Sequence, residues 1–234
     1  MTRRPRTLQL LAVAALLGML GSAAMIFIFA PQDAVQGPVQ RIFYLHVSSA
    51  IAAYFCFALV LGGCIHHLIW GGLAADRLAR AAALVGLVFT INCVVMGIIW
   101  AKPIWNWDPT QTWDARFTST VVMGMVYAGY LLVRRFASPG RQAMRLSAVV
   151  GIIGFIDVPV VHFSVQWWRT LHPGPIIEEN ALPPAMLVAF LVTMVCTLFL
   201  AAVLVAIRYR LEQIQEERES SAEGAPELEL VTQR

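Results

Sequence analysis

AMLVAFLVTMVCTLFLAAVLVAI, Ala185 to Ile207, runs for 23 residues without a charged side chain. A helix needs roughly 20 mostly apolar residues to cross the hydrocarbon layer, so this stretch reads as a membrane span. Lipid offers no water to backbone polar groups, and a helix satisfies its own. The run is continuously apolar rather than alternating, which does not fit the strand of a membrane barrel. Five further stretches qualify on the same grounds: about Leu8 to Ala30, Val47 to Trp70, Ala81 to Ile99, Thr118 to Val133 and Leu146 to Val161. The last of these carries Asp157 and Pro159 near its end. Composition agrees: the 234 residues are 59% hydrophobic and 13% charged, with a mean hydropathy of +0.69, outside the range of a soluble domain. The expected fold is an all-α integral membrane protein, a bundle of six transmembrane helices.

Cations orient the bundle. Arg3, Arg4 and Arg6 precede the first span, Arg77 and Arg80 follow the second, Arg134, Arg135, Arg141 and Arg145 follow the fourth, and Arg208 and Arg210 follow the sixth. The opposite loops hold only Arg41, Lys102, Arg116 and Arg169. The positive-inside rule then places both termini in the cytoplasm. The first span, at 23 residues, is longer than the roughly 7 to 15 apolar residues of a signal peptide, and no clean small-x-small cleavage site follows it; it reads as a membrane anchor. Residues 1–207 therefore form one membrane domain, and 208–234 a charged, flexible cytoplasmic tail in which the last helix continues for two or three turns before the Ser-Ser and Gly-Ala-Pro region.

The outward loops carry the chemistry. Between Trp100 and Arg116 the chain reads WAKPIWNWDPTQTWDAR, four tryptophans, two aspartates and two cations in 17 residues. Tryptophan presents an apolar face and a polar edge, which suits the membrane surface or a flat aromatic ligand. The neighbouring outer segments bring histidines, His46 at the end of PQDAVQGPVQRIFYLH and His172 within HFSVQWWRTLHPGP. A flat, doubly anionic macrocycle with a metal centre fits such a set, because haem iron accepts imidazole on both axial faces. The tryptophans would pack on the ring, and Arg41, Lys102, Arg116 or Arg169 would pair with its propionates. The competing reading is that each histidine is simply an interfacial polar residue.

Those same residues resemble a known family. Trp113 to Ser119 (WDARFTS), preceded by Lys102 to Trp105 (KPIW), is similar to the WWD domain of the haem-handling proteins of cytochrome c maturation, of the CcmC (haem exporter protein C) type. RIFYLHV at Arg41 to Val47 and SVQWWRTLHPG at Ser164 to Gly174 resemble that family's histidine-bearing segments, so the likeness covers roughly Arg41 to Ala185. It implies a protein of the bacterial inner membrane with its site facing the periplasm. There haem b is held non-covalently and transiently, with His46 and His172 as axial ligands and with Trp105, Trp107, Trp113, Asp114 and Arg116 holding the ring. It further implies delivery to a membrane-anchored haem chaperone of the CcmE type, with an ABC-type complex (CcmAB type) and a small membrane partner (CcmD type), and no enzymatic step. The loop departs from the family pattern: the adjacent tryptophan pair is missing and the spacing is longer. Trp107-Asp108-Pro109 also mimics Trp113-Asp114-Ala115, although Arg116 and Thr118 favour the second pair as the equivalent one.

Other membrane functions make different demands on the sequence. A complete cytochrome c synthase of the WWD type joins more helices and a large outer domain to this core. A b-type cytochrome or quinone-linked subunit predicts histidines facing each other inside the bundle on several spans. A transporter predicts broken helices, midplane polar groups and an internal repeat, whereas the spans offer little beyond Asn92 and Asp157. Nucleic-acid binding has no support at a net charge of +3. Cys56, Cys64, Cys93 and Cys196 lie in apolar spans without a C-x-x-C pair and read as structural thiols. His66 and His67 read as interfacial; His162, ten residues before His172, is an alternative ligand. Asp157 is expected to pair with a cation or to cap a broken helix.

Overall fold

The computed structural model describes residues 4–108, 110, 113–136, 140–168, 172 and 182–232, with side chains described for those between 6 and 219. Six α-helices account for nearly all of it: α1 (Arg4–Ala24), α2 (Ile42–Trp70), α3 (Leu73–Trp105), α4 (Ala115–Phe136), α5 (Arg141–Trp167) and α6 (Pro184–Thr232). All six are long and apolar enough to cross a membrane. The protein is therefore a six-helix membrane bundle, as the apolar spans predict. A π-helical turn (Met25–Phe29) prolongs α1, and a 3-10 turn (Pro38–Arg41) leads into α2.

The helices outrun the apolar stretches that announce them. α2 begins at Ile42, so His46 sits on a helix instead of closing a loop, and α3 continues to Trp105. Trp100 and Trp105 are therefore helical residues, and the irregular chain begins at Asn106. Asn106 ends α3 in the left-handed conformation (φ 50°), which asparagine tolerates better than most residues. α5 runs unbroken through Asp157 and Pro159; the expected helix break at Asp157 is absent, and its Oδ2 is buried without a hydrogen-bond partner. α6 extends well beyond Ile207, to Thr232.

In lipid, helices associate through close packing and polar contacts because the surrounding tails are as apolar as leucine. Small residues supply the closeness here. α2 packs most extensively on α3, where a Cβ on Gly63 would lie 2.7 Å from the Ala75 carbonyl oxygen. Ala52, Ala53, Ala79, Ala81, Ala82 and Ala83 are all fully buried. Phe57 of α2 stacks flat on Tyr127 of α4 with ring centres 3.6 Å apart. α1 stands at the periphery against α6.

The two ends of the bundle differ. At one end, charges link α3, α4 and α6: Asp76 bridges Arg134 (2.8 Å) and Arg80 (3.4 Å), Glu212 bridges Arg80 and Arg208 (3.2 Å each), and Glu216 bridges Arg77 and Arg80. Asp76 and Glu212 are buried. Close by, the His67 ring bonds the Gly72 carbonyl and His66 lies against Trp70, consistent with structural roles for both histidines. At the other end, aromatic packing takes over: Phe43, Tyr44, Trp100 and Phe190 form a second core beneath a cavity.

Candidate functional site

The cavity has a volume of about 330 Å³ and opens among α2, α3, α4 and α5, within the range of about 300–1,000 Å³ typical of small-molecule sites. Its walls follow from helical periodicity. Phe43, His46, Val47, Ala50 and Tyr54 face it from α2, at spacings of three and four residues; Cys93, Gly97, Trp100 and Ala101 face it from α3. Residues three and four apart share one face of a helix, so two such stripes make a continuous wall.

Of the residues singled out by sequence, the cavity gathers His46, His172, Trp105, Trp107, Asp114 and Arg116, and His162 as well. The His46 and His172 rings face each other with centres 6.4 Å apart and planes 36° from parallel. His46 Nδ1 lies 2.9 Å from the Cys93 carbonyl oxygen, and its ring meets the edge of Trp100 at 5.8 Å. Trp100 in turn donates its indole N–H to Gln36 Oε1 at 2.9 Å, tying the loop before α2 to α3, and contacts Trp105 at 5.6 Å. Arg116, at the start of α4, donates to the His162 carbonyl (2.6 Å) and to Ser164 Oγ (3.5 Å), so its guanidinium both lines the cavity and holds the end of α5.

The two Trp-Asp pairs separate. Trp107 is 6% exposed and packs edge-on against Phe117 at 4.9 Å, while Trp113 is 65% exposed and lies outside the cavity lining. Asp108 forms a turn: the Thr110 hydroxyl (2.7 Å) and amide (2.8 Å) donate to its Oδ1 and hold its carboxyl below the usual carboxylate range. Asp114 is buried, and its Oδ1 accepts the Phe117 amide at 2.9 Å. That is the N-cap bond, from the residue before the helix to the third residue within it. The aspartate of the second pair thus starts α4 and aims Arg116, the first pair supplies the buried tryptophan, and Trp113 stays outside the cavity.

Among the propionate candidates, Arg116 lines the cavity. Arg41 stacks over Phe27 at 5.6 Å instead, Lys102 is exposed, and neither belongs to the lining. Arg169 lies outside the described residues, as do Pro109, Gln111 and Thr112 of the tryptophan loop. Among the described residues no group of three or more His, Cys, Asp or Glu side chains gathers as a bare metal site. Phe43, Tyr54, Cys93 and Gly97 are cavity residues that the motif reading missed. Their place on shared helical faces, through Phe43, His46, Ala50 and Tyr54 on α2 and Cys93, Gly97 and Ala101 on α3, was the available signal.

These features define a polytopic membrane protein with an aromatic, histidine-lined pocket at one end of its bundle. Its sequence matches the family model described as heme exporter protein C over residues 2–223. It is similar to heme exporter protein C of Escherichia coli, 35% identical over 185 residues, covering 79% of this chain and 74% of that protein. The protein of the same name from Bradyrhizobium diazoefficiens is 33% identical, covering 74% and 68%. A putative cytochrome c biosynthesis ccmC-like mitochondrial protein of Arabidopsis thaliana is 30% identical, covering 78% and 69%. The chain belongs to the heme exporter protein C (CcmC) family.

Proposed function

We propose that this chain receives haem as cargo in the cavity between His46 and His172, at the outer face of the inner membrane, and delivers it to a membrane-anchored haem chaperone during maturation of c-type cytochromes. The names of its relatives support haem handling and cytochrome c biogenesis. The observation that carries the site is the pair of imidazoles facing each other at 6.4 Å. Two axial imidazoles at the usual metal–nitrogen distance of about 2 Å place their ring centres about 6 Å apart. The observed spacing supports His46 and His172 as the two ligands of one iron.

The surrounding residues suit the rest of the cargo. Trp100, Trp105 and Trp107 give apolar ring faces, and Arg116 supplies positive charge for a propionate. Asp114 acts through α4, by fixing the turn from which Arg116 projects. His162 stands as a third imidazole on the wall. The asymmetric placement of arginines supports cytoplasmic termini and a periplasmic cavity. The exposed rings of Trp113, Trp167 and Trp168 offer a surface near the site to a chaperone of the CcmE type, and partners of the CcmAB and CcmD types complete the proposed assembly. The chain's role is carriage and release, with no covalent chemistry of its own.

The test is the visible spectrum of detergent-purified protein, co-expressed with the chaperone, for the native chain beside His46→Ala and His172→Ala. A six-coordinate, low-spin haem spectrum in the native protein, lost or shifted in both variants, is the expected result. Unchanged spectra in both variants would overturn the ligand pair, and a native chain that takes up no haem would overturn the cargo.

A further inference from the structure

We infer that the backbone of α3, at Cys93 and Gly97, is the positioning device that presents the Nε2 lone pair of His46 to the cavity. This rests on the proposed haem site and adds to it a feature that neither the histidines nor the tryptophan loop contains.

Three observations converge on one turn of α3. First, the Cys93 carbonyl oxygen sits 2.9 Å from His46 Nδ1. A carbonyl only accepts, so in the neutral ring Nδ1 carries the proton and Nε2 is left as the acceptor, the form that binds a metal. A histidine ligand whose other nitrogen donates to a backbone carbonyl has both its tautomer and its ring plane fixed before the metal arrives. Second, glycine at position 97 leaves this ring its room, and any side chain there would press on it. A Cβ there would lie 3.0 Å from His46 Cε1 and 3.4 Å from Nδ1. The same ring also meets Trp100 in a T-shaped contact with centres 5.8 Å apart. Third, the register of α3 against α2 is pinned one residue away: Asn92 Nδ2 donates to Ser49 Oγ (2.8 Å), and Ser49 Oγ donates to the Leu45 carbonyl (2.7 Å). Asn92 and Cys93, adjacent on α3, thereby hold Ser49 and His46, three apart on α2. Asn92, a polar residue within an apolar span, finds its purpose in this clamp.

The carbonyl cannot be mutated, but Gly97 can. Alanine is favoured over glycine within a helix, so Gly97→Ala should leave α3 formed while pushing the imidazole off its seat. The purified apo chain, in detergent, is titrated with iron(III) protoporphyrin. Gly97→Ala should bind it about ten- to a hundredfold more weakly and show a high-spin component that reverts to the low-spin spectrum on adding free imidazole. Gly129→Ala serves as the control, a glycine of α4 with nothing within 4 Å of its Cβ position, and should match the native chain. Nitrogen-15 NMR of histidine-labelled apo protein, assigned against His46→Ala, should find His46 as the Nδ1–H tautomer.

A Gly97→Ala protein with native spectrum and affinity, beside a His46→Ala protein that loses both, overturns the positioning role and leaves the haem site standing. An Nε2–H tautomer at His46 also overturns it, whether or not the glycine variant folds. If His46→Ala retains the native spectrum, the haem site itself fails, and the two failures are thereby told apart.

Discussion

At one end of the bundle Asp76, Arg80, Arg134, Glu212 and Glu216 close on one another, and each buried charge meets an opposite one. At the other end His46, His172, Arg116 and Trp107 sit around a cavity of about 330 Å³, and the Trp107 indole nitrogen is buried without a partner. Both sets cost desolvation on folding. The charged end recovers that cost inside the chain, through ion pairs across three helices. The cavity end instead sets imidazoles and a guanidinium around open space. The comparison assigns stability to the first end and binding to the second, and substitutions should separate the two.

The largest expected effect on folding belongs to Asp76→Ala, which strands Arg134 and strips Arg80 of one partner. Removing one member of a buried ion pair costs about 3–5 kcal/mol. Equilibrium unfolding in mixed micelles should show that loss, while the fraction still folded binds haem with the native spectrum. A changed spectrum would break the division between the ends. Next is Trp107→Ala, expected to cost about 3 kcal/mol for a buried aromatic side chain and, unlike Asp76→Ala, to weaken haem binding as well. Asp114→Ala should cost about 1 kcal/mol through the lost N-cap of α4, and Asp114→Asn should restore most of it. If asparagine fails where alanine fails, the carboxylate has a charge-dependent task that capping does not explain. Trp113→Ala should change stability by less than about 0.5 kcal/mol, as an exposed substitution. A loss confined to haem transfer to the chaperone would make its ring part of the delivery surface.

The spans were legible because lipid leaves the chain few options: an apolar run of about 20 residues must be a helix. Their ends were not, since residues such as Lys102 and Pro103 extend α3 beyond the hydrocarbon, where composition no longer reports conformation. That His46 and His172 come to one cavity was legible from the family likeness of their segments. The tryptophan loop was half legible. Two Trp-Asp pairs look alike in a string, yet one aspartate turns the chain and the other caps a helix, a distinction fixed by which amide comes within reach. What Asn92 and Gly97 touch could not be read from the string, because their partners on α2 lie more than 40 positions away in the chain.

α3 holds the arginine cluster near its start and the seat of His46 near its far end, with 13 residues from Arg80 to Cys93. At 3.6 residues per turn, one inserted or deleted residue in that interval swings everything beyond it by about 100°. The Cys93 carbonyl would leave His46 while Arg80 kept its glutamates. The length of that interval should therefore stay constant across relatives, and gaps in an alignment should fall in the loops on either side of α3.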